Sequence, residues 1–183
     1  MAELQRELGG SLGSVRRYPA RLRLLHWIIA GLVLATWPLG LMIGFVKDAV
    51  KLDFYTVHES LGFLVLWLML VRIGSRLTGT IPAVNGPALE RLVAGLVHGL
   101  LYVFLVVMPV SGFLATNAHG FPLKWFGLVP IWSPIGKSPD VAATLSTIHQ
   151  WSAWILLALF ALHFAAVIFH HVIRRDETLY RIL

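Results

Sequence analysis

The stretch IHQWSAWILLALFALHFAAVIFHH, residues 148–171, decides the fold. It is apolar over a length that crosses a bilayer, for which about 20 helical residues suffice. Yet it carries His149 and His163, 14 residues apart. At about 100° and 1.5 Å per residue, that spacing puts both side chains on nearly one helical face, roughly 21 Å apart along the axis. An imidazole inside lipid is costly unless it has a partner. Two on one stripe, at opposite ends of one span, point to two partners at two depths.

Three more stretches have the length and apolarity of a span. The four run over 23–45, 55–76, 92–116 and 145–172. Composition agrees: of 183 residues, 57% are hydrophobic and only 13% charged, where a soluble domain carries about 25% charge. The mean hydropathy is +0.76. The predicted fold is therefore all-α, an integral membrane four-helix bundle. Residues 1–20 are polar and are expected to form a mobile tail, with 21–183 as the membrane domain. The tail lacks the build of a cleaved signal peptide. Arg16 and Arg17 are read as charges flanking the first span rather than as a twin-arginine signal. Pro109 and Gly112 predict a bend near the outer end of the third span. The long segment 117–144, rich in Gly, Pro and aromatics, is expected to be an ordered cap.

Charge sets the expected orientation. All 11 arginines fall at one end of the predicted bundle and all four lysines, Lys47, Lys51, Lys124 and Lys137, at the other. Basic residues favour the cytoplasmic side, so both termini are expected in the cytoplasm. The arginine end also holds five of the nine acids, which leaves it the whole net charge of +6 and leaves the lysine end neutral. The pI near 10.2 thus reports topology and contact with anionic lipid, not nucleic-acid binding.

Topology sorts the histidines by depth. His26 and His163 belong to the inner half. His58 and His149 open the second and fourth spans from the outside. Each pair sits at matched depth on two different helices, as bis-imidazole ligation of a flat macrocycle requires. The chain has no cysteine, which excludes thiolate clusters and the covalent C-x-x-C-H haem attachment. A metal-only site wants its ligands within a few ångströms of one another, commonly with carboxylates, and these stripes lie two levels apart. His98 and His170, also on the inner half, can meet a haem propionate or a quinone carbonyl, or can be ordinary interfacial histidines. His119 falls in the outer loop. Glycines at 31, 40, 44, 62, 95, 99 and 112 allow close approach of a helix or a macrocycle, as small residues do in membrane helix contacts generally.

Several segments carry a family resemblance: RLLHW at 23–27, YTVHESLGF at 55–63, LVHGLLY at 96–102, PVSGFLATNAHGFPLKWFGL at 109–128 and FHHVIRRDETLYRIL at 169–183. Over nearly the whole chain after residue 20, the sequence resembles the bacterial cytochrome b561 family. The resemblance implies a four-helix cytochrome of the bacterial inner membrane with two b-type haems, whose axial ligands fall on His26, His58, His149 and His163. It also implies an activity, superoxide oxidase, in which superoxide on the outer side yields electrons to ubiquinone. The alternative is a non-enzymatic relay or anchor between quinone and a partner redox protein. A haem-binding sensor without turnover is the third reading.

Overall fold

The structure, a computed structural model, describes residues 15–82 and 86–183. Most of the expected N-terminal tail therefore lies outside the described residues. Four long helices occupy the four apolar stretches, but their ends follow capping chemistry rather than hydropathy. Helix α1 spans Ala20–Met42 after Pro19, and α3 spans Ala88–His119 after Pro87. Helix α4, Pro139–Ile168, carries its proline in the first turn, where the missing N–H would have no partner anyway. Helix α2, Asp48–Leu77, begins seven residues before the apolar signal. Its first turn holds Asp48 and its last turn Arg76, charges that suit the two ends of the helix dipole. Gly120 closes α3 with φ of 93°, a left-handed cap that glycine adopts without strain.

All four helices are long and apolar enough to cross a membrane. Pro38 and Pro109 lie inside α1 and α3, and the helices run through both. Helix α3 packs most extensively on α4, and α1 on α2, so the bundle is two hairpins joined chiefly through α2 and α3. A small core of Ile29, Val65 and Met69 draws in Tyr102 and Leu105 from α3. Large apolar side chains such as Leu24, Leu34, Val103, Leu162 and Phe164 remain exposed on the outer faces. That is the surface a lipid-facing bundle presents, because helices in lipid gain little by burying more of it.

The segment after α3 is ordered, as expected of a cap, though its ends belong to helices. Strands β1, Lys124–Trp125, and β2, Val129–Pro130, form a small antiparallel hairpin. Phe126 and Gly127 both take positive φ, the signature of a tight hairpin turn. The hairpin is fastened to α2 through Ser60. Trp125 Nε1 donates to the Ser60 carbonyl at 3.1 Å, and the Phe126 N–H donates to Ser60 Oγ at 2.7 Å.

At the opposite end of the bundle the chain closes on itself. The Tyr18 N–H donates to the Arg181 carbonyl at 2.9 Å. Trp27 Nε1 donates to the Ile182 carbonyl at 3.1 Å, and Arg23 donates to the carbonyl of Leu183. The two ends of the described chain thus share one face. Helix α4 reaches this face through a π-helical turn, Phe169–Arg174.

Candidate functional site

The histidines paired by depth in the sequence meet in space. At the loop end the rings of His58 and His149 lie 6.1 Å apart, centroid to centroid, with their planes at 90°. At the termini end the rings of His26 and His163 lie 6.4 Å apart, at 76°. A metal–imidazole bond is about 2 Å long and a ring centroid lies about 1.1 Å behind its nitrogen, so one metal between two imidazoles holds the centroids roughly 6.2 Å apart. Both pairs have that separation. Among the described residues no group of three or more His, Cys, Asp or Glu is placed to hold a metal ion. Paired imidazoles, not a carboxylate cage, are what the bundle offers.

The loop-end pair is oriented by backbone. His58 Nδ1 lies 2.9 Å from the Thr36 carbonyl of α1, and His149 Nδ1 lies 2.8 Å from the Met108 carbonyl of α3. A carbonyl has no proton to give, so Nδ1 carries the hydrogen in both rings. In a neutral imidazole that leaves Nε2 as the free lone pair, the arrangement usual for a metal-bound histidine.

Glycine makes these approaches sterically feasible. A Cβ on Gly40 would stand 2.5 Å from His58 Cε1, and a Cβ on Gly112 would stand 2.8 Å from His149 Cε1 and Nδ1. Each ring therefore rests on a carbonyl and a glycine one turn apart on the neighbouring helix. Of the other glycines named from the sequence, those at 31, 62, 95 and 99 have nothing within 4 Å of a Cβ. The sequence marked small residues as a class, but only the tertiary packing separates these two.

The termini-end pair has a third imidazole beside it. The His98 ring lies 5.1 Å from that of His163, and His26 also touches Trp27. His170 has an acidic partner. The turn that carries it is π-helical, with i→i+5 bonding. Its Nδ1 meets Asp176 Oδ2 at 2.5 Å. Burial pushes the Asp176 carboxyl up, but hydrogen bonds from Thr178 and His170 outweigh it and hold the group at about 2. His119 is not a loop residue: it ends α3, and its Nε2 lies 3.0 Å from Ser146 Oγ on α4.

Glu59, next to His58 in the sequence, accepts a hydrogen bond from Thr116 Oγ1 at 2.8 Å, tying α2 to α3. Among the four lysines of the loop end, Lys51 is paired with Asp48 at 2.8 Å.

An apolar four-helix bundle with imidazoles facing one another between its helices has the build of a membrane cytochrome of the b type. The comparisons agree. A family model described as prokaryotic cytochrome b561 matches residues 17–183. The chain is 28% identical to "Cytochrome b561 homolog 2" of Escherichia coli K12 over 91% of each chain. It is 32% identical to "Cytochrome b562" of Cereibacter sphaeroides, over 87% of this chain and 90% of that one. It is 26% identical to "Probable superoxide oxidase CybB" of Yersinia pestis, over 87% of this chain and 91% of that one. The chain belongs to the prokaryotic cytochrome b561 family. It is a multi-pass electron-transfer protein of the bacterial inner membrane, and its family binds haem b.

Proposed function

We propose that this chain holds two b-type haems, one between His58 and His149 and one between His26 and His163, and acts as a superoxide:ubiquinone oxidoreductase. Both termini face the cytoplasm, and residues 21–183 are the working unit. The observation that carries the reading is the pair of facing imidazoles repeated at two depths, at 6.1 and 6.4 Å. Bound haem would supply the reversible one-electron redox chemistry. The rest is the work of the chain. The Thr36 and Met108 carbonyls fix the tautomer of two ligands. The apolar helices exclude water. The hairpin held on Ser60 covers α2 at the loop end.

In the proposed reaction two superoxide ions each give up one electron and leave as dioxygen. Ubiquinone takes both electrons and two protons to become ubiquinol. His98 and His170 lie on the quinone side in this reading. His170 donates through Nδ1 to Asp176, which leaves its Nε2 to present or take up a proton. The relative named a probable superoxide oxidase supports the activity.

A relay to a partner redox protein is the second reading. The observation that favours it is the cap, where Leu128 in the hairpin turn and Trp132 just after the hairpin are each 82% exposed. The two are separated by adding enzymatically generated superoxide to the purified protein and following the haem bands. The oxidase reading expects rapid reduction, then reoxidation by ubiquinone. It also expects slower, less salt-sensitive reduction when Lys47 and Lys124 become glutamine, because guided association falls with ionic strength. Lys51, already paired with Asp48, should matter less. Haems that ignore superoxide but accept electrons from a quinol or a protein donor would replace the oxidase by the relay.

A further inference from the structure

Arg72 and Arg76 stand one turn apart on α2, so their side chains rise from one face. Both lie against Tyr102 of α3, with guanidinium carbons 5.9 and 5.7 Å from the ring centroid. Tyr102 follows His98 by one turn on the same face of α3, and the His98 ring is 5.1 Å from that of His163. Arg72 also donates to the carbonyl of Leu22 on α1, one turn before His26. Contacts with α1 and α3 thus hold two permanent positive charges of α2 beside the helices that carry His26 and His98.

Among the described residues no carboxylate forms an ion pair with either charge. The ion pairs among the described residues are Lys51–Asp48, His170–Asp176 and Arg174–Glu90. The hydroxyl of Tyr102, whose ring meets both guanidiniums, is buried and has no hydrogen-bond partner among the described residues. Uncompensated charge toward the apolar part of a bundle is costly and marks a functional site, and an orphaned buried hydroxyl is costly as well. One kind of occupant relieves both costs: an anion with several acceptor oxygens.

We propose that Arg72, Arg76 and Tyr102 clamp the propionates of the haem held by His26 and His163. The proposal rests on the ligand reading given above. A non-covalent haem carries two carboxylates on one edge. A guanidinium pairs with a carboxylate through parallel N–H donors, and the phenol adds a further donor. A neutral quinone would satisfy the hydroxyl but would leave the two charges unbalanced. Residues of α2 and α3 would then hold the carboxylate edge of a bound haem, in addition to the two imidazoles.

The test uses the full-length holoprotein in detergent. Haem per chain is measured, and both haems are titrated for potential across a range of pH. Arg76→Gln is the leading variant, because the contact that places Arg76 is the ring of Tyr102 and no helix-to-helix hydrogen bond is lost. Arg72→Gln, Tyr102→Phe and Arg76→Lys accompany it. Removing a positive charge beside the iron favours the ferric form. Arg76→Gln should therefore keep two haems and leave the loop-end haem unchanged. It should shift the other about tenfold toward ferric, which is about 59 mV downward for one electron. The propionate freed of its guanidinium should bind a proton more readily, so that haem's potential should gain a pH dependence. Arg76→Lys should restore most of the potential, and Tyr102→Phe should shift it in the same direction by less. Two haems with potentials and pH dependence unmoved by all three neutralising or deleting variants would overturn the clamp and leave the ligand reading standing. So would a raised KM for ubiquinone with unmoved potentials, which would make quinone the occupant. One haem per chain in the wild-type protein would overturn the ligand reading and the clamp with it.

Discussion

Replacing Gly40 by alanine should cost the protein its loop-end haem while leaving the fold in place. The new Cβ would stand 2.5 Å from His58 Cε1 and 3.0 Å from Nδ1. Carbon atoms in ordinary contact are about 3.5–4.0 Å apart, so the ring must withdraw by about 1 Å. Its hydrogen bond to the Thr36 carbonyl, now 2.9 Å, would stretch to about 3.9 Å, which is no longer a hydrogen bond. That loss is about 1 kcal/mol, and forcing a methyl group into a filled contact adds about 1–3 kcal/mol. The total of roughly 2–4 kcal/mol weakens cofactor binding by about 30- to 1,000-fold. The lower part of that range matches what loss of a ligand-orienting partner costs in other metal sites, about 10–100-fold. Haem per chain, measured as the pyridine haemochrome before and after competition with a haem scavenger, reads the effect directly. Gly31→Ala on the same helix is the control, since its Cβ would meet nothing within 4 Å. Gly112→Ala should repeat the effect through His149, more mildly because its closest contact is 2.8 Å. A Gly40→Ala protein that holds both haems as tightly as Gly31→Ala, with unaltered bands, would refute the reasoning.

Two further predictions concern orientation and the C-terminal segment. Single cysteines at Ser138 and Ser11 should label differently with a membrane-impermeant thiol reagent in cells with a permeabilised outer membrane. Ser138→Cys should react and Ser11→Cys should not, and the reverse pattern would invert the topology. Asp176 has a folded pKa of about 2 against an ordinary 3.8, so its contribution is present above 3.8 and is lost as the pH falls toward 2. Protection of residues 175–183 from protease should fade over that window in the wild type, and Asp176→Asn should lower protection at neutral pH and flatten the change. Equal protection of the two proteins at every pH would count against the His170–Asp176 contact as the fastening.

The depth of each histidine was readable because a span has a fixed rise per residue. Counting from the arginine and lysine ends placed His26 with His163 and His58 with His149, and the rings meet in those pairs. What the count could not supply was anything requiring two helices at once. The Thr36 and Met108 carbonyls are backbone atoms and leave no mark on residue identity. Gly40 and Gly31 look alike until a ring is seen against one and not the other. His170 could be placed only on the inner half, and its meeting with Asp176 shows only once the π-helical turn after α4 is in place. The charge of Arg72 and Arg76 was read as a topology signal, and their meeting with Tyr102 shows only once α2 and α3 are packed.

The way the loop-end rings are held has a consequence for the order of assembly. His58 of α2 is anchored by α1, and His149 of α4 by α3. Each hairpin therefore orients its own ring, and neither needs the other to do so. The termini end is different. There Tyr18 meets Arg181 and Trp27 meets Ile182, contacts that join the start of α1 to a segment more than 150 residues further on. Such long-range closures come late, because the entropy of the intervening chain must be given up before they can form. As the chain is made, the α1–α2 hairpin can prepare its ligand while α3 and α4 are still being inserted. The end that holds His26 is sealed only after residues 181–182 have been added.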